Sequence, residues 1–200
     1  MAYIDEGYVK YTSQWDQQKE APGCSKELLN TRDLMHRHQL IGFDEGFQVG
    51  YGNISERYKN QLFVISGTQT GHIYPITPFE FTLVTAVDFK NNSLACSGPI
   101  SASSESLTHA AIYHTLPEIN AVIHVHHKKI WKYLLSNGCS TEDIPYGTPE
   151  MAFELMRIVQ TPAAIQQPLI AMKGHEDGVI AYGTSLSEAS NNLLACLRSI

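Results

Sequence analysis

The chain has 200 residues and a mass of 22.3 kDa, 43% hydrophobic, 10% aromatic and 17% charged, which suits one compact domain over 1–200 and excludes wholesale disorder. Fourteen Lys and Arg against twenty Asp and Glu give a formal net charge of -6, the wrong balance for a nucleic-acid binder. No apolar stretch approaches the roughly 18–20 residues of a membrane helix, and residues 1–6 lack the basic and apolar segments of a secretory signal. Four scattered cysteines, Cys24, Cys96, Cys139 and Cys196, read as free thiols of a reducing, cytoplasmic compartment.

Alternation through Val9, Tyr11 and Trp15 predicts a strand within an N-terminal extension, 1–22. Pro22-Gly23 then turns the chain, and Ser25 caps a helix over 25–40 that Gly42 stops. Strands follow at 48–50, 62–66, 81–88 and 93–96. Ser103 or Ser104 caps a helix to 116, with Leu107, Ala110, Ala111 and His114 on its core face and His109 along an edge. The apolar run 121–126 is a central strand. Helices are predicted at 129–135 and at 148–159, the second opened by Thr148-Pro149. Strands at 169–172 and 179–182 flank a polar break, and the capping box Ser185-x-x-Glu188 opens the last helix. Strands alternate with helices, but several connections are hairpin-short. That favours an α/β sandwich around a mixed sheet over a doubly wound parallel one.

The sharpest chemical feature is His124-Val125-His126. In a strand both histidines share a face, two imidazoles held side by side as a zinc-type ion needs. An isolated His-x-His serves equally as a hydrogen-bonded pair on a polar face, but in a strand this apolar, two unpaired imidazoles would be costly. His127 points the other way and is not a ligand. His175, in the loop 174–178 beyond a strand end, is the best third ligand. Three histidines plus water make an open, catalytic arrangement.

Ser103, Ser104 and Glu105 precede a helix, where hydroxyls and free amides offer an anion site. Glu105 either complements the helix dipole or acts as acid/base beside the metal; a Glu105–His109 pair ranks below that. The turns 50–55 and 66–71 each lack a full nucleotide motif. With Ser103 and Ser104 they provide donors for a phosphate without fixed positive charge.

In this order the motifs Gly52-Asn53-Ile54-Ser55, the 66–71 turn, Ser103-Ser104-Glu105, His124-Val125-His126 and His175 resemble the class II aldolase/adducin family. The resemblance spans about residues 30–197. It implies a three-layer α/β/α sandwich around a central mixed, largely antiparallel sheet, and a homo-oligomer, commonly a tetramer. It also implies Zn2+, or Mn2+, Fe2+ or Co2+, on His124, His126 and His175, with Glu105 as acid/base. Asn53, Ser103 and Ser104 would cradle a phosphate, together with Ser66-Gly67 or Thr70-Gly71. Tyr146 is the candidate second proton donor. The implied activity is retro-aldol cleavage of a small ketose or ketose phosphate, in carbohydrate metabolism, with no nucleic-acid or membrane partner. The alternatives are a 4-epimerase or a dehydratase on the same metal, or an adducin-like binding module without chemistry. The paired acids Glu176-Asp177 after His175 disfavour an anion close to that ligand.

Overall fold

The computed structural model describes residues 7–200; residues 1–6, and with them the reading of the first residues as free of a signal, lie outside the described residues. In chain order the elements are β1 (Thr12–Gln17), α1 (Lys26–Arg37), β2 (Gly42–Asp44), β3 (Val49–Tyr51), β4 (Asn53–Lys59) and β5 (Leu62–Ser66). A 3-10 turn (Pro78–Glu80) leads into β6 (Phe81–Asp88), β7 (Ser93–Gly98), α2 (Ser106–Thr115), β8 (Ala121–His126), α3 (Lys128–Asn137) and β9 (Cys139–Ser140). The rest is α4 (Pro149–Ile158), α5 (Pro162–Gln166), β10 (Leu169–Ala171), β11 (Gly178–Gly183) and α6 (Leu186–Ser199).

Nine strands form one sheet in the order β1-β7-β6-β5-β4-β8-β11-β10-β9, and β2 and β3 make a separate hairpin. Within the large sheet only the flanking pairs β1–β7 and β9–β10 run parallel, so the sheet is mixed and largely antiparallel, as expected. Two apolar cores lie on its two faces. Ile54, Ile123 and Val125 join Leu28 of α1, Ile130 of α3 and Leu193 of α6. On the other face Val122 and Ile180 join Leu107 of α2, Leu155 of α4 and Ala164 of α5. That is a three-layer α/β/α sandwich.

Helix starts follow local chemistry. Ser25 Oγ accepts from the Leu28 amide at 2.9 Å, and Thr148 Oγ1 accepts from Met151 at 3.3 Å ahead of Pro149, each satisfying an amide the helix cannot. At α6, Ser185 caps as predicted, but Glu188 reaches back to the Thr184 amide, 2.7 Å, one residue earlier than a capping box requires.

Four expectations are corrected. α1 ends at Arg37, where Gln39 takes a φ of 56°; Gly42 opens β2 and stops nothing. The supposed glycine turn 50–55 is the end of β3, a hinge at Gly52 and the start of β4. α2 begins at Ser106 with Glu105 at its N-cap and no side-chain cap bond, so Ser103 and Ser104 stand ahead of the helix. Finally, His109 is fully buried and His114 exposed, the reverse of their predicted places. In the N-terminal segment, Tyr11 is buried and its hydroxyl donates to the Ser103 carbonyl at 2.9 Å, while β1 itself is an exposed edge strand.

Candidate metal centre and anion cleft

Along β8, Ala121, Ile123 and Val125 pack toward α1, α3 and α6, so period-two alternation turns His124 and His126 toward the α2 layer with Val122. β4 and β11 flank β8 in the sheet: Asn53 and Ile180 stand opposite His124, and Gly178 opposite His126. A Cβ at Gly178 would lie 3.1 Å from His175 Cγ and 3.3 Å from His124 Cε1; a glycine there leaves room for both rings. His175 is fixed by its backbone, the amide donating to Met172 O at 3.0 Å and the carbonyl accepting from Gly178 at 2.9 Å.

The three imidazoles converge. His124 Nε2 and His126 Nε2 are 3.1 Å apart, the His175 ring centroid lies 5.1 Å from that of His124 and 4.7 Å from that of His126, and one candidate donor atom from each lies within 4.8 Å of the others. Metal–nitrogen bonds of about 2.0–2.1 Å put neighbouring ligands of a tetrahedral ion roughly 3.3 Å apart, so this donor set fits a zinc-type ion. Burial holds the His124 imidazole well below the ordinary histidine pKa, against the pull of Glu105 and with help from His126, His175 and His109. The neutral ring it favours is the form that binds a metal. His124 Nδ1 is buried without a hydrogen-bond partner among the described residues.

Glu105 is buried beside this cluster. Its Oε2 accepts from Thr108 Oγ1 at 2.7 Å and its Oε1 lies 3.3 Å from His175 Nδ1. Burial opposes ionisation, but the His175 contact, positive charge on His124 and His175 when those rings are protonated, and the Thr108 hydroxyl outweigh it and hold the carboxyl down at about 2. One helical turn on, His109 Nδ1 meets Ser55 Oγ at 2.7 Å, and Ser55 Oγ meets the Tyr113 hydroxyl at 2.8 Å. Burial lowers the His109 pKa to about 3 despite Glu105, leaving the ring neutral.

Tyr146 packs its ring on His175, centroids 4.4 Å apart, with Lys10 Nζ 3.8 Å from its own centroid. Its hydroxyl accepts from the Tyr8 amide at 3.3 Å. His127 caps α3 by accepting from Ile130 N at 3.3 Å, away from the cluster.

A polar cleft is lined by Asn53, Gly67, Thr70, Gly71, Ser103 and Ser104, among others, and by no charged side chain among the described residues. Of the two sequence alternatives, Thr70-Gly71 lines it, as does Gly67, whereas Ser66 turns its hydroxyl to the Ile54 amide at 3.2 Å. Glu176 is exposed and neither it nor Asp177 lines the cleft. Two features escaped the sequence reading: the Ser55–His109–Tyr113 chain, hinted at by the Glu105–His109 spacing, and Arg32, one turn after Leu28 on the buried face of α1.

A family model described as the Class II Aldolase and Adducin N-terminal domain matches residues 32–199. The chain belongs to this family. Among solved structures, YgbL of Escherichia coli, a candidate aldolase/epimerase/decarboxylase, is 19% identical with a TM-score of 0.60, over 85% of this chain and 83% of that one. L-fuculose-1-phosphate aldolase from Thermus thermophilus is 18% identical with a TM-score of 0.58, over 85% and 87%. A sugar-phosphate aldolase from Thermotoga maritima is 15% identical with a TM-score of 0.63, over 85% and 88%. At these identities the likeness is one of fold. No curated protein matches. The class II aldolase/adducin span takes in the three histidines, Glu105, Asn53, Ser103 and Ser104; Tyr8 and Lys10, which touch Tyr146, precede it. No helix among the described residues is long and apolar enough to cross a membrane.

Proposed function

We propose that this class II aldolase/adducin protein is a divalent-metal-dependent lyase that cleaves a small ketose phosphate by retro-aldol chemistry. One observation carries the reading: three imidazoles converge with a buried carboxyl 3.3 Å from one of them, and the nearby cleft offers hydroxyl, amide and backbone donors. Class II aldolases typically depend on a divalent metal, and His124, His126 and His175 would hold it, whether zinc, manganese, iron or cobalt. Such an ion, when bound, supplies Lewis acidity toward a carbonyl and its neighbouring hydroxyl oxygen.

The chain's own groups do the rest. Asn53, Thr70, Gly71, Ser103 and Ser104 hold the phosphate, with Gly67 beside them, and so fix which substrate carbon faces Glu105. In the condensation direction the ionised Glu105 takes the proton from the carbon beside the ketone carbonyl. In the cleavage direction, by microscopic reversibility, the hydroxyl that becomes the aldehyde gives up its proton as the carbon–carbon bond breaks, that proton is passed through solvent to the Glu105 carboxylate, and Glu105 delivers it to the carbon left behind. Thr108 keeps the carboxylate in place for both steps, with His175 Nδ1 3.3 Å from its other oxygen. The same reading takes the enzyme to be one domain, cytoplasmic and homotetrameric.

The test begins with metal content by mass spectrometry on tag-free protein beside a His124→Ala/His126→Ala double variant. The expected result is near one ion per chain, lost in the variant. A screen of ketose phosphates for triose phosphate release follows, in which Glu105→Gln keeps the ion and loses about 10²–10⁴-fold in turnover. Protein from zinc-supplemented medium that carries no ion, and takes none up on titration, would sink the lyase reading. Substrate that is epimerised or dehydrated without cleavage would replace it with that reaction on the same centre.

A further inference from the structure

The guanidinium of Arg32 has no part in the chemistry above, yet the residue is 1% exposed, on the face of α1 that buries Leu28 and Met35. A charge so placed is costly unless engaged. Its Nη2 donates to the carbonyl oxygens of Thr70 at 2.7 Å and Gly71 at 3.1 Å. Its Nη1 lies 3.5 Å from Asp33 Oδ1 and makes no hydrogen bond among the described residues. Asp33 also accepts from the Ile76 amide, at 3.0 Å, through that same oxygen, and its side chain is 17% exposed. Glu80 adds a second, weaker attraction, and among the described residues no carboxylate approaches the guanidinium closer than the 3.5 Å of Asp33.

In a trans peptide the N–H points opposite to the C=O, and the one cis bond among the described residues is Tyr74-Pro75. Drawing the Thr70 and Gly71 carbonyls onto Arg32 thus turns the amides of Gly71 and His72 the other way. Thr70 and Gly71 line the cleft, and a side chain at Gly71 would collide with the Gly42 carbonyl, so this stretch of backbone is held closely on both sides.

We propose that Arg32 is a positioning residue for a phosphorylated substrate: from behind the 67–71 turn it orients the turn's peptide dipoles and lends positive charge to a cleft whose own side chains are uncharged. The inference rests on the reading of that cleft as the phosphate seat. A guanidinium held behind the backbone attracts the anion without filling the cleft and without ion-pairing to Glu105 across it.

The probe is inorganic phosphate, titrated by calorimetry into the metal-loaded protein. The same titration on the His124→Ala/His126→Ala variant separates the cleft from phosphate bound at the metal. Arg32→Met is expected to bind phosphate at least about tenfold more weakly at unchanged metal content, the lower bound set by a unit charge acting through roughly 12 Å at an effective dielectric of about 20. Arg32→Lys, which keeps the charge and loses the fork, should fall between. Asp33→Asn keeps the acceptor for Ile76 and removes the countercharge; because that carboxylate is 17% exposed and screened by solvent, phosphate should bind only about two- to threefold more tightly. That opposite sign keeps the test decisive if Arg32→Met fails to fold. Equal phosphate affinity in wild type, Arg32→Lys and Asp33→Asn overturns the role of Arg32 alone. A wild type indifferent to phosphate overturns the phosphate seat as well.

Discussion

At Tyr146 the ring and the hydroxyl face different partners. The ring lies on His175 and beneath Lys10, while the hydroxyl is engaged by the Tyr8 backbone. The hydroxyl's own proton is turned to the Tyr8 carbonyl at 3.5 Å, which competes with its delivery to substrate, the part for which the sequence had put this tyrosine forward. Tyr146→Phe, which keeps the ring, is therefore expected to retain full metal occupancy and turnover within about threefold of wild type, as for loss of one modest neutral hydrogen bond. Tyr146→Ala removes a buried wall of the centre and should cost about 3–5 kcal/mol of stability, with weaker metal retention. Turnover of an identified substrate and metal analysis on the same preparations check both. Loss in Tyr146→Phe as deep as in Glu105→Gln would return the hydroxyl to the mechanism.

α2 carries the site from one end, and its buried polar chain pins it to β4 through Ser55. Because His109 stays neutral when folded, with a pKa near 3 against 6.5 when exposed, the unfolded chain alone takes up a proton between those values. Stability linked to His109 is thus complete above pH 6.5 and is lost as pH falls toward 3. In metal-free protein, denaturant melts of wild type and His109→Gln should diverge in slope over this window, the wild type losing roughly 2–3 kcal/mol more by about pH 4.5; parallel curves would refute the assignment. The element also shows why parts of the molecule resist reading. β8 was readable because apolar residues alternate there with two histidines. α2 is buried almost all round, so periodicity has no phase to report and the two histidines were misplaced. β4 was missed because Asn53, Ser55, Glu56 and Arg57 hide its alternation; it is central only because β5 and β8 bracket it, and its inward residues serve the cleft and α2. Arg32 was unreadable for a related reason: an arginine on a helix signals solvent until the loop it meets is known.

Across the whole molecule the centre joins segments far apart in sequence: Glu105 ahead of α2, two histidines on β8, and His175 in the connection between β10 and β11. In an unfolded chain the 49-residue step from His126 to His175 leaves the third ligand unplaced, so an ion on this site binds the folded state almost alone and stabilises it by mass action. At a free ion concentration about a hundredfold above its dissociation constant the gain is about 2.7 kcal/mol. For a chain of this size that is roughly 5–10 °C in the melting temperature. Calorimetric scans of zinc-loaded and chelator-stripped wild type should differ by that amount. The His124→Ala/His126→Ala variant should melt at one temperature with or without chelator. A stripped wild type that melts with the loaded protein would mean that the three imidazoles hold no ion worth that energy, and that the convergence of strand and loop is stabilised by packing alone.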